Sequence, residues 1–172
     1  MGQVVSQREL LLRRGEWKRT GEGVVCAYGS FDLLHPGHIR LLEQARDFGE
    51  ILAVAVQSDD MLRRREGCAV SDCTPTRPVT PAAERAEIVA ALDAVDVAAV
   101  ADGTLSEFLT KFRPDAFVRG DERSSETVDS ERNLSADLES MLTEIGCKLV
   151  RLPLEPGFSS TGLIERISGH RA

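Results

Sequence analysis

The stretch that decides the fold reads Val24-Val25-Cys26-Ala27-Tyr28-Gly29-Ser30-Phe31-Asp32-Leu33-Leu34-His35-Pro36-Gly37-His38. It opens with an almost unbroken apolar run, the pattern of a strand covered on both faces of a parallel sheet. Pro36-Gly37 opens a helix that carries Ile39, Leu42, Ala45 and Phe48, and Gly49 is placed to end it. A strand that turns through a glycine-bearing loop into a helix is the first unit of an α/β domain.

Working outward, the apolar run recurs at Ile51 to Val56, Val95 to Val100, Ala116 to Val118 and Cys147 to Leu152. Helices with readable ends lie between these runs. Thr80 before Pro81 predicts an N-cap with proline at the first helical position, leading into Ile88, Val89 and Leu92. Thr104 with Glu107 predicts a capping box on a short helix through Phe112. Leu134, Leu138, Met141, Leu142 and Ile145 share one helical face that ends at Gly146. Ser6 with Glu9 starts a helix ahead of the first strand. The alternation predicts a Rossmann-like, doubly wound α/β domain with a parallel sheet of about five strands and an N-terminal helix as an appendage. The expected division is a helical extension over 1–21 and one domain over 22–172. The longest irregular stretches, 63–79 and 119–133, are polar and arginine-bearing, and long loops in compact domains are often functional.

Composition narrows the function. The chain has 172 residues and a net charge of −7, which disfavours nonspecific nucleic-acid binding, since that requires basic surface. A small anion needs only a local positive pocket. No run approaches the roughly 18 apolar residues of a membrane span, and the N-terminus lacks the layout of a secretory signal. The expectation is a cytoplasmic protein with no membrane and no nucleic-acid partner. Cys26, Cys68, Cys73 and Cys147 do not form a zinc pattern. They read as reduced thiols, with Cys26 and Cys147 inside strands.

The loop 28–38 offers Gly29 for close approach, two histidines and the N-terminus of a helix, whose unpaired N–H groups favour phosphate. Gly37 leaves room for a phosphate to approach the backbone between the histidines. Imidazole donors can neutralise charge that builds on the α- and β-phosphates during transfer. Four residues alone leave other readings open: a helix-start pair with capping roles, or an H-x-x-H metal pair.

Residues Gly29 to His38 resemble the H-x-G-H signature of the cytidylyltransferase-like nucleotidyltransferase superfamily. The likeness continues, in order, through Leu41 to Arg46, Val54 to Asp59, Arg77 to Arg85, Arg113-Pro114-Asp115 and Gly157 to Ile167. Several separated motifs in register are far more specific than H-x-G-H alone. Within the superfamily, the Arg-Pro-Val-Thr-Pro run and the Pro-Leu-Glu-Pro-Gly-Phe-Ser-Ser-Thr tail are most similar to heptose 1-phosphate adenylyltransferases of bacterial ADP-heptose synthesis. Glycerol-3-phosphate cytidylyltransferases are the nearest alternative, through Tyr28 to His35.

The resemblance implies transfer of AMP from ATP, or CMP from CTP, onto a small phosphorylated acceptor, with Mg²⁺ carried by the triphosphate and no metal held by the protein itself. It implies His35 and His38 as catalytic residues. Tyr28, Gly29, Ser30, Phe31, Asp32 and Gly37 would bind nucleotide, with Asp32 ordering the loop or polarising a neighbour. So would Arg85, standing near the phosphates, and Ser159, Ser160 and Thr161 at the start of the last helix. Arg119, Gly120 and Asp121 would lie beside base or ribose. It also implies a homodimer. Two departures stand out. The family's lysine before a glycine after the second strand is replaced by Glu66-Gly67, so Arg63, Arg64 or Arg65 would have to supply charge. The aromatic of the family's loop after the fourth strand is absent from Arg119-Gly120-Asp121-Glu122-Arg123-Ser124. A catalytically silent nucleotide-binding homologue is the competing reading.

Overall fold

A computed structural model describes residues 1–65, 78–121, 130–153 and 157–167. The expectations on Glu66-Gly67, Cys68, Cys73, Arg77 and 122–124 fall outside these residues.

The chain runs β1 (Gln3–Val4), α1 (Gln7–Thr20), β2 (Val24–Gly29), α2 (Pro36–Arg46), β3 (Ile51–Gln57), α3 (Asp59–Arg65), α4 (Ala82–Ala90), β4 (Val97–Ala101), α5 (Leu105–Phe112), β5 (Ala116–Asp121), α6 (Ser130–Glu144), β6 (Lys148–Pro153) and α7 (Ser160–Ile167). The strands form one parallel sheet in the order β1-β4-β3-β2-β5-β6. The chain therefore winds outward from β2 through β3 to β4, then returns to lay β5 and β6 on the other side. The order reverses between β2 and β5, the place where open α/β sheets bind ligands.

Each strand buries alternate residues in opposite directions. Val25 and Ala27 of β2 join Leu52, Val54 and Val56 of β3 under Leu42 and Ala45 of α2 and Ala86 and Val89 of α4. Val24 and Cys26 join Ala53 and Ala55 on the other face, under Leu10 of α1, Phe108, Leu109 and Phe112 of α5, and Leu138 and Leu142 of α6. Helices on both faces explain why the strands read as continuous apolar runs. Cys26 and Cys147 are free and buried. Burial pushes both thiols up, Cys147 to about 11. Cys147 precedes β6 rather than lying inside it.

The five expected strands are all present, and a sixth, β1, is added at the edge. The N-terminal helix is no mere appendage. Leu10 is fully buried against the sheet. Buried Arg14 donates from Nε to the Arg113 carbonyl at 2.9 Å and from Nη2 to Asp115 at 3.0 Å. Asp115 in turn accepts from the backbone N–H of Val24 at 2.7 Å, so α1 is tied to the start of β2.

Local signals held where the partners are close in sequence. Ser6 caps α1 through Glu9 N–H, and Thr104 with Glu107 forms the capping box of α5. Three ends differ. Gly49 does not end α2, which stops at Arg46; a side chain at 49 would lie 2.7 Å from the Gly23 carbonyl, so glycine there permits backbone contact. Helix α4 begins at Ala82 with Pro81 at its cap, one residue later than expected, because Thr80 is engaged by Asp32 and Arg85. The stretch expected to be irregular from 63 begins inside α3, a seven-residue charged helix with no apolar period to announce it.

Candidate active site

The loop between β2 and α2 lies at the carboxyl end of the central strand. Its backbone is unusual: Phe31 (φ 49°) and Leu33 (φ 50°) both occupy the left-handed region. For bulky residues this costs on the order of 1–3 kcal/mol each and persists only when the surroundings over-determine it.

Asp32, fully buried between them, supplies part of that determination. Its Oδ2 accepts from Val79 N–H at 2.9 Å and its Oδ1 from Thr80 N–H at 3.1 Å, while its carbonyl accepts from Ser160 Oγ at 2.6 Å. These bonds tie Asp32 to the segment before α4 and to the start of α7. Ser160 therefore joins the start of α7 to the H-x-G-H loop.

Arg85 supplies the rest. It is the largest side chain fully enclosed by the fold. Its Nε donates to the Thr80 carbonyl at 2.8 Å, Nη1 to the Ser30 carbonyl, and Nη2 to the Gln57 carbonyl at 2.9 Å and to Asp59 at 2.6 Å. One guanidinium thus ties the ends of β2 and β3 to the starts of α3 and α4. With these donors engaged inside the protein, Arg85 braces the loop, and the same side chain lines the cavity beside it. Asp59 was missed by sequence reasoning. Its position two residues past β3 was the available signal.

His35 is the N-cap residue of α2 but its side chain makes no capping bond, which removes the capping reading of that residue. Its ring stacks on His38 with centroids 3.9 Å apart and planes 23° apart. His38 leans on buried Phe31 at 5.5 Å. Burial holds the His35 pKa below the ordinary value, and its own backbone offsets part of that shift. His35 Nδ1 is enclosed and makes no hydrogen bond of normal geometry. A neutral imidazole keeps one ring N–H, so it can still donate.

Two glycines have a different use from the one expected. A Cβ on Gly37 would lie 3.1 Å from Cε1 and Nδ1 of His35 and 3.3 Å from the Cβ of Phe158. The space is filled by an imidazole and an aromatic residue, not held open for phosphate. A Cβ on Gly29 would meet the Phe31 ring at 3.3 Å.

The remaining expected residues fall into three groups. Tyr28 is half-buried and its hydroxyl donates to the Met61 sulfur at 3.4 Å. Ser159 Oγ accepts from Gly162 N–H at 3.0 Å, a local cap for α7; the side chain of Thr161 lies outside the described residues. Arg119, Gly120 and Asp121 end β5, level with Arg151, Leu152 and Pro153 of β6 and across the switch point from β3. Of the three arginines, Arg63 is exposed and paired with Asp60 at 3.2 Å, Arg64 is exposed, and the Arg65 side chain is not described. Beside the loop a cavity of about 330 Å³ is lined by Phe31, Leu33, Leu34, Ile88, Leu163 and Ile167, among others. Among the described residues no group of three or more His, Cys, Asp or Glu converges as a metal site, and no helix is long and apolar enough to cross a membrane.

Comparison with known proteins agrees with this geometry. The chain is 39% identical over 169 residues to the bifunctional protein HldE of Koribacter versatilis (strain Ellin345), covering 97% of this chain and 31% of that protein. It is 37% identical over 151 residues to the HldE of Syntrophotalea carbinolica, covering 87% and 28%. For the HldE of Rhodopseudomonas palustris (strain HaA2) the values are 35% over 164 residues, 95% and 30%. The chain thus spans about a third of the length of these relatives. A lipopolysaccharide core biosynthesis protein from Thermoplasma volcanium GSS1 shares the fold, with a TM-score of 0.59 and 24% identity over 78% of this chain and 98% of that one. The cytidylyltransferase-like family model matches residues 26–166, so the braced H-x-G-H loop lies within the matched region and the chain belongs to the cytidylyltransferase-like family.

Proposed function

We propose that the chain is a nucleotidyltransferase that moves AMP from ATP onto a phosphorylated sugar resembling heptose 1-phosphate and releases pyrophosphate. The observation that carries this reading is the pair of stacked imidazoles at the carboxyl end of β2, on a strained loop fastened to the start of α7 by the Ser160 hydroxyl. The HldE relatives, matched over nearly the whole chain, and the resemblance of residues 77–85 and 152–161 to heptose adenylyltransferases favour ATP and a sugar phosphate.

A phosphate oxygen of the acceptor attacks the α-phosphorus in line, and pyrophosphate leaves from the opposite side. No covalent enzyme intermediate forms. Catalysis rests on positioning and on donors that meet charge as it grows. His35 and His38 donate to the phosphates. Ser159, Ser160 and Thr161 bring the N–H groups of the first turn of α7 to the same chain of phosphates. Gly120 and Asp121 take base or ribose, with Arg119 beside them. Arg63, Arg64 or Arg65 supplies the charge that a lysine supplies in relatives. Mg²⁺ arrives with the triphosphate as part of the substrate. We assign the protein to the cytoplasm as a homodimer.

The test is a pyrophosphate-release assay that crosses ATP and CTP with heptose 1-phosphate and glycerol 3-phosphate. Release with ATP and the heptose phosphate alone is the expected result. Release with CTP and glycerol 3-phosphate would move the chain to the cytidylyltransferase branch, and silence in all four would point to a binding homologue.

A further inference from the structure

Phe158 has no part in the reading above, yet its position is difficult to explain as packing. It is 40% exposed, so a large part of its ring remains in water. It precedes the two serines that start α7, and its Cβ shares with the His35 ring the space beside Gly37. Its ring lies 6.3 Å from the His35 imidazole with planes 20° apart, and the Arg40 guanidinium stands 5.6 Å over it. The result is a column, Phe31–His38–His35–Phe158–Arg40, anchored inside by a buried phenylalanine and closed outside by an exposed one.

We propose that Phe158 is a positioning residue for the transfer reaction: its ring closes the outer end of the column and holds the His35 imidazole in the orientation from which it meets the phosphates. The proposal rests on the assigned nucleotidyl transfer for its catalytic consequence, but its structural part concerns the ligand-free protein. Ser160, bonded to the Asp32 carbonyl, fixes the backbone that carries Phe158. The ring and the histidine therefore descend from the same loop-to-α7 junction, and movement of α7 would carry the ring with it. The Phe158 Cβ and the His35 Nδ1 edge crowd the same space beside Gly37, and His35 Nδ1 is enclosed. The titratable and charged groups about the pair are His38 on the same helix, Arg40 across the ring, and Asp32, whose carboxylate is turned toward Val79 and Thr80.

The variants are Phe158→Ala, which removes the ring, and Phe158→Tyr, which keeps it. The first readout is ¹⁵N nuclear magnetic resonance of the histidines in protein without ligand. The sequence has three histidines, and a His35→Gln variant identifies the His35 signal. In Phe158→Ala the His35 midpoint is expected to rise by about half a unit toward the ordinary value, with a changed balance of its two neutral tautomers. The second readout is turnover with ATP and heptose 1-phosphate: kcat falls about tenfold while KM for ATP stays within about twofold. Phe158→Tyr is expected to match wild type in both.

A Phe158→Ala protein with unchanged His35 midpoint and tautomer overturns the proposal. So does a raised KM for ATP with kcat intact, which would make the ring a nucleotide contact. So does a Phe158→Tyr protein that behaves as the alanine variant. Wild-type protein that releases no pyrophosphate would sink the assigned reaction instead, and the resonance measurements would still decide whether the ring sets His35.

Discussion

His38→Ala removes one of two stacked imidazoles whose donors are worth most when charge peaks on the phosphates. It is expected to lower kcat by about a hundredfold or more with an unchanged melting temperature, and His35→Ala to act alike; near-normal turnover by either folded variant would remove them from the mechanism. Gly37→Ala probes the same place sterically. Alanine favours the helix by up to about 1 kcal/mol, so stability should hold or rise, yet the new Cβ must push His35 or Phe158 aside by a few tenths of an ångström. A drop in kcat of about tenfold at full stability is expected, read by paired melting and rate measurements. Acid adds a third check. Because burial lowers the His35 pKa, the unfolded chain binds its proton first as pH falls, so this histidine's contribution is intact above the ordinary histidine value and is lost as pH drops through the folded one. The wild type should therefore lose more stability than His35→Gln between about pH 7 and 5 in denaturant titrations. At this scale the sequence marked the loop itself: two histidines and an aspartate that the structure brings together beyond the end of β2. Phe158 and the true partners of Arg85 were hidden, because each is defined by a neighbour tens of residues away.

Elements meet at Arg85, and its replacement tests them together. Arg85→Ala leaves three carbonyls and Asp59 without their donor in a closed space, a loss of about 3–5 kcal/mol by analogy with broken buried pairs, lessened because Asp59 is partly exposed and can hydrate. Arg85→Lys keeps the charge but not the fork. It is expected to melt between the two and to lose kcat beyond its loss of stability, since the Ser30 carbonyl is released. A lysine variant with full activity would mean that the loop stands without its brace. The strands were legible because burial on both faces writes a continuous apolar run, and α5 was legible because its capping box is complete within four residues. Helix α3 and strand β1 were not: one is short and charged, the other two residues long. The shifted start of α4 escaped for another reason, since Asp32 had taken the N–H of Thr80 from nearly fifty residues upstream.

Across the whole molecule, Val5 and Leu10 from the first twenty-one residues pack into the same core cluster as the later helices. Leu10→Ala opens a cavity under α1 at a fully enclosed site and should cost about 2–5 kcal/mol. Deletion of residues 1–21 strips the face over Phe108 and Phe112 and removes Arg14, the partner of Asp115. Urea titration should show the truncated chain unfolded or aggregated, and a truncated chain as stable as the parent would restore the appendage view. Strand β1 also fixes where the chain enters. Gln3 pairs with Val97, the first residue of β4, so the chain start sits at the amino rim of the sheet, with Gly2 pressed against carbonyls that a side chain would strike. The histidines stand at the opposite rim. An affinity tag joined ahead of Met1 would hang from the far side of the sheet, away from the rim that carries the histidines.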